Sequence, residues 1–125
     1  VNQGGSGQLI ITGAVGNTFA NFTNSVQPTS VQFIESYTYY FESFSLSGTS
    51  GNLVTLTSST NGVTYTLSKV GGGIVGCDYL SLRDSTATGS GASWYAGANS
   101  TNVSNNSGWI FTAAPTGGGM LFFFN

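Results

Sequence analysis

Leu9-Ile10-Ile11-Thr12-Gly13, followed by Gly16-Asn17, returns 35 positions later as Phe44-Ser45-Leu46-Ser47-Gly48, followed by Gly51-Asn52. Another 35 positions on, Tyr79-Leu80-Ser81-Leu82 falls in the same phase without the Gly-Asn pair. A short apolar run closed by glycines and repeated at an interval marks units that stack and bury their faces against one another. Each interval holds about three strands, so the echo predicts an all-β chain coiled as a parallel β-helix or β-solenoid, with equivalent strands paired in parallel. An antiparallel β-sandwich or jelly roll is the alternative.

Between the echoes the hydrophobic period is two, as in strands with one buried face. Val31 and Phe33 share a face, and Tyr37, Tyr39 and Phe41 share the next. The phase slips at Glu42-Ser43, where Phe44 and Leu46 form a new inward pair, and again at Tyr79-Leu80, where Leu80 and Leu82 take over. Such slips mark bulges or corners. Asn61-Gly62 predicts a tight turn because both residues tolerate positive φ. Gly71-Gly72-Gly73 and Gly117-Gly118-Gly119 are further breaks. Residues 84–108 are the least strand-like stretch: a long ordered loop is expected there, with a short strand at 92–95 and pinned by Trp94, Tyr95 and Trp109.

The 125 residues suit a single all-β domain spanning 1–125. Ser, Thr, Asn and Gly fill about half the positions, and the apolar share is carried by aliphatic and aromatic strand formers. Charged residues make up 5% of the chain, far below the roughly 25% usual in soluble domains. The surface must therefore be solvated by hydroxyls and amides, a bias that suits a virion surface or an extracellular setting. Two cations, Lys69 and Arg83, give no basic footprint for phosphates, so no nucleic acid partner is expected. No apolar stretch is long enough to span a bilayer, so no membrane partner is expected either.

Catalysis finds little to work with. There is no histidine, and the four carboxylates are scattered: Glu35 and Glu42 seven positions apart, Asp78 and Asp84 six apart. Acid–base and triad chemistry both need titrating groups brought together, so no enzyme activity, no catalytic residue and no cofactor is expected. Zinc would want several Cys or His ligands, and no metal site is expected. Asp84-Ser85-Thr86 reads as a turn whose carboxylate accepts backbone N–H bonds, with Arg83 pairing to Asp78 or Asp84. Cys77, at strand spacing between Val75 and Tyr79, reads as a buried small apolar residue.

Several segments resemble a repeat of structural proteins from bacteriophages and uncultured marine viruses, and of large bacterial surface proteins described as β-helical. They are the runs 48–58, Thr66-Leu67-Ser68-Lys69, 77–89, Trp94-Tyr95-Ala96-Gly97-Ala98-Asn99-Ser100 and Asn106-Ser107-Gly108-Trp109-Ile110-Phe111. Together they span about Phe44 to Thr112. The resemblance implies an exposed structural module of a phage virion, as capsid decoration or fibre or spike element, and brings no catalytic motif. A carbohydrate-binding or adhesin module of a cell-surface protein, or an extracellular filament subunit, is the alternative.

Two candidate sites follow. Trp94, Tyr95, Asn99 and Trp109 supply flat rings and an amide, which suits glycans; the plainer role for the tryptophans is to clamp a polar loop onto the core. Leu121, Phe122, Phe123 and Phe124 form an apolar terminal run expected to contact other structural subunits, most simply copies of the same chain. Burying each aromatic there is worth roughly 1.5–3 kcal/mol.

Overall fold

In the computed structural model, residues 2–3, 8–11, 18–24 and 30–115 are described, and among them there is no helix. After β1 (Asn2–Gln3), the chain winds through turns of three strands. The first turn is β2 (Gln8–Ile11), β3 (Thr18–Phe19) and β4 (Phe22–Asn24); the second is β5 (Ser30–Phe33), β6 (Thr38–Phe41) and β7 (Phe44–Ser45). The third is β8 (Val54–Ser58), β9 (Tyr65–Lys69) and β10 (Gly73–Gly76); the fourth is β11 (Leu80–Arg83), β12 (Ser85–Thr88) and β13 (Ala92–Tyr95). β14 (Thr101–Ser104) and β15 (Trp109–Ile110) begin a last, shorter turn.

Each strand pairs in parallel with its equivalent one turn away. The first wall is a five-stranded sheet in the order β14-β11-β8-β5-β2, the second a four-stranded sheet in the order β12-β9-β6-β3. The third wall is in two pieces, β1-β4-β7 and β10-β13-β15. The fold is thus the β-solenoid expected, of about four turns.

Its period is not the one expected. Leu9 pairs with Val31, Val31 with Leu56 and Leu56 with Leu82, at intervals of 22, 25 and 26 residues. Phe44 does not repeat Leu9: it pairs with Phe22 on the third wall, whereas Leu9 lies on the first. The 35-residue echo therefore linked strands of different walls. The slips at Glu42-Ser43 and Tyr79-Leu80 are corners between walls. Asn61-Gly62 is also a corner, with Gly62 at φ 89°, and joins strands of two different sheets.

Residues 84–108 hold β12, β13 and β14 where a loop with one strand was expected. The inward positions of β12 are Ser85 and Ala87, which carry no hydrophobic signal of their own. They are strands because β9 offers a partner in register, Tyr65 to Ser85 and Leu67 to Ala87.

The core runs along the solenoid axis, and its filling passes from one wall to another. On the second wall, the inward column shrinks from Tyr39 to Leu67 to Ala87. On the third wall, the facing column grows from Val75 to Trp94 to Trp109. Large side chains from one wall thus occupy the space that small ones on another leave, as close packing requires. Trp94 Nε1 donates to the Thr88 carbonyl at 2.7 Å, and Trp109 Nε1 to Ser85 Oγ at 2.9 Å, so both indoles reach across to the second wall with their polar atoms satisfied. In the earlier turns, rings stack on their equivalents one turn on: Phe19 on Phe41 with centroids 5.3 Å apart, and Phe22 on Phe44 at 5.5 Å. Such contacts add about 0.5–1.5 kcal/mol each beyond burial.

Trp94 is 1% exposed and touches both Phe44 and Trp109 edge-on. Trp94→Ala is expected to destabilise the chain by about 3–5 kcal/mol, measured by urea unfolding. A loss below about 1 kcal/mol would mean the axial core does not depend on this ring.

Candidate functional site

Two corners of the solenoid carry columns of polar side chains. At the corner between the first and second walls, successive turns place a residue in the left-handed region: Ser36 at φ 69°, Gly62 at 89°, Asp84 at 58° and Asn105 at 59°. Asp and Asn accept that conformation more readily than most residues. The Asp84 carboxylate, 0% exposed, ties three turns together. Its Oδ2 accepts the Gly62 N–H at 2.9 Å, and its Oδ1 accepts Asn105 Nδ2 at 2.8 Å. Arg83 Nε lies 3.5 Å from Oδ2, an ionic contact rather than a hydrogen bond. Sequence reasoning anticipated a carboxylate accepting backbone N–H bonds. It missed that the donor is one turn away, 22 residues back.

At the corner between the third and first walls, Asn24, Ser47, Asp78 and Asn99 form a second column. Asn24 Nδ2 donates to the Ser47 carbonyl and the Ser47 N–H to Asn24 Oδ1, both at 3.1 Å. The Asp78 N–H donates to Ser47 Oγ at 3.1 Å. The Asp78 carboxylate accepts the Tyr79 N–H at 3.0 Å, the Asn99 N–H at 3.0 Å and Asn99 Nδ2 at 2.9 Å. The close seat of Asp78 explains Gly97, at φ 92°: any Cβ there would run into the Asp78 side chain and the Cys77 carbonyl.

Outward positions form columns of hydroxyls. Thr38, Thr66, Thr86 and Ser107 line up along the second wall, as do Ser30, Thr55, Ser81 and Thr101 along the first. Neighbours in a column are about 4.8 Å apart, the strand spacing. These columns are polar and carry no charge.

The structure does not bring the four glycan candidates together. Trp94 and Trp109 point inward and are 1% and 8% exposed, leaving no ring face for a sugar. Tyr95, the next residue after Trp94, points to the other side of the strand, where its neighbours across the sheet are Gly76 and Ile110. Asn99 spends its amide on Asp78. Both tryptophans are core residues, and the stretch around them is strands rather than the polar loop they were expected to clamp. Asp78 and Asp84 sit at opposite corners, with β11 between them. Cys77 is buried, and desolvation first of all pushes its thiol up to about 12. After β15 the chain returns across the third wall, with Ala114 against Gly76. The expected assembly residues Leu121–Phe124 lie outside the described residues. No family model, curated protein or solved structure matches the chain.

Asp84→Asn keeps the left-handed backbone but turns one acceptor oxygen into a donor that faces another N–H. A loss of about 1.5–3 kcal/mol is expected, read from urea midpoints; an unchanged midpoint would remove the carboxylate from the corner's stability. Partial desolvation pushes the Asp78 carboxyl up, and the hydrogen bonds from Asn99 and Tyr79 outweigh it and hold it below its ordinary value. The folded value being depressed, this stabilisation is complete above the unfolded pKa of about 3.9 and is lost as pH falls toward the folded value. Wild type is thus expected to lose more stability between pH 7 and pH 3 than Asp78→Asn, in denaturant titrations at the two pH values. Equal losses would show that Asp78 does not contribute.

Proposed function

We propose that the chain is a structural module of a bacteriophage virion surface, a capsid decoration or fibre element that works by holding a rigid shape and packing against neighbouring subunits rather than by turnover. The observation that carries the reading is the architecture itself. Backbone pairing runs from turn to turn through every wall segment, polar ladders tie two corners, and uncharged hydroxyl columns face outward. A body of this kind presents flat, solvated faces and ends on which other subunits stack. The resemblance to viral structural repeats points the same way, and its segments coincide with strands: 48–58 with β8, 77–89 with β11 and β12, and 106–111 with β15.

The apolar run Leu121–Phe124 supplies the contact in this reading, burying rings against another subunit. Deleting residues 120–125 is expected to reduce incorporation into particles by at least tenfold, measured by quantifying the chain in purified virions, while the β-rich circular dichroism spectrum stays unchanged. Full incorporation of the deleted chain would overturn this contact. Imaging of the native assembly, with the chain found anywhere but on the particle, would overturn the virion reading.

A further inference from the structure

Asn61-Gly62 is the one Asn-Gly pair in the sequence. It forms the corner between β8 and β9, and both residues are exposed. The Val63 N–H donates to the Thr60 carbonyl at 3.1 Å, Asn61 stays outside the left-handed region and Gly62 lies at φ 89°, so the corner is a type II turn. Glycine has no side chain to shield the peptide nitrogen that follows Asn61. The Asn61 amide makes no hydrogen bond among the described residues. Asn99 and Asn106, each followed by a serine, differ: one spends its amide on Asp78, the other on Asn102 and the Leu82 carbonyl. Asn61 alone of the three sets a free carboxamide beside an unhindered backbone nitrogen.

That nitrogen is nevertheless held. The Gly62 N–H donates to Asp84 Oδ2 at 2.9 Å, and the Gly62 carbonyl accepts Asn105 Nδ2 at 3.3 Å. Both partners belong to later turns, Asp84 to the fourth and Asn105 to the last. Closing a five-membered ring between the Gly62 nitrogen and Asn61 Cγ requires the peptide to rotate until that nitrogen lies on the side of Asn61 Cβ. Rotation breaks the bond to Asp84. The carboxylate also opposes the first chemical step, because it stabilises the N–H form and its charge disfavours an amide anion beside it.

We infer that Asn61-Gly62 is a site of spontaneous backbone modification gated by Asp84: the reaction is held off while the fourth turn is stacked on the third, and proceeds where that stacking opens. The inference concerns the isolated chain and is independent of the assembly reading. Hydroxide takes the proton from the Gly62 nitrogen and becomes water. The nitrogen attacks Asn61 Cγ, the N–Cγ bond forms, the Cγ–Nδ2 bond breaks, and ammonia leaves with a proton from water, which restores the hydroxide. Water then opens the ring at either carbonyl, giving aspartate or, with the main chain rerouted through Cγ, isoaspartate. Nothing is oxidised or reduced. Either product adds an acid to a corner whose column holds only Asp84, and isoaspartate also lengthens the main chain between β8 and β9.

The test is incubation of the purified chain in mildly alkaline buffer, followed by peptide mass mapping that reads conversion at Asn61 and separates aspartate from isoaspartate. The folded chain is expected to convert at least tenfold more slowly than the chain in urea, since reaction has to wait for local opening. Asp84→Asn is expected to speed conversion of the folded chain at least fivefold, whereas Asp78→Asn, the same change at the other corner, leaves it within twofold. If Asp84→Asn does not fold, hydrogen exchange of the wild type decides: the Gly62 amide is expected to exchange more slowly than that of Asn61, which donates to nothing among the described residues. Equal conversion in buffer and in urea overturns the proposal. So does conversion in Asp84→Asn no faster than in wild type, acceleration by Asp78→Asn to the same extent, or a Gly62 amide that exchanges as fast as its neighbour's.

Discussion

The organisation of this molecule answers to the parallel pairing of strands with their equivalents one turn on, unbroken along the first two walls and interrupted once on the third, between β7 and β10. The pairing fixes a spacing of about 4.8 Å between turns, so each side chain sits beside whatever occupies the same place in the next turn. A column must therefore be made of groups that tolerate close neighbours of similar kind. Two carboxylates at that separation would repel by on the order of 3 kcal/mol at intermediate screening. The two columns described at the corners hold a single acid each: Asp78 lies between Ser47 and Asn99, and Asp84 between Gly62 and Asn105. Amides and hydroxyls, donors and acceptors at once, repeat without conflict. The low charge of the sequence is thus a consequence of stacking as well as a surface property.

The same constraint shapes the core. Because the walls keep their separation from turn to turn, the enclosed volume has to be filled at every level, but which wall fills it is free to change. Tyr39, Leu67 and Ala87 cede space that Trp94 and Trp109 occupy from the opposite side. The exchange also satisfies the indole N–H groups, since a tryptophan that crosses the core ends at the backbone or hydroxyls of the facing wall. A buried Trp without that reach would leave a donor unpaired, at a cost of about 1–3 kcal/mol.

Much of the fold was legible in the alternation of residues, and the corners in the slips of that alternation. The period was not. Turns here advance by 22, 25, 26 and then 20 residues along the first wall, because corner lengths vary, and no constant interval exists to be found. What recurs is an inward residue at matched register, and Leu, Val, Leu and Leu are too common to announce it. β12 escaped notice because its inward side chains are small, their space being filled from another wall. The corner ladders were hidden for a related reason. Asp78 and Asn99, or Asp84 and Asn105, stand 21 positions apart, and only the register brings them together. Trp94 and Tyr95 read as a pair in sequence and are separated by the pleat, which sends neighbours to opposite sides of a strand.

In a solenoid built this way a strand has a partner on one side only at the ends of each sheet, including the break between β7 and β10 on the third wall. Charge and proline are the usual guards of such edges, yet charge is the resource that stacking keeps scarce. The closing turn resolves the conflict with amides: Asn102 stands where a leucine would continue the core, and Asn106 occupies a carbonyl and an N–H of the turn before it. Neutral side chains that repeat well inside the stack thereby also serve to stop it.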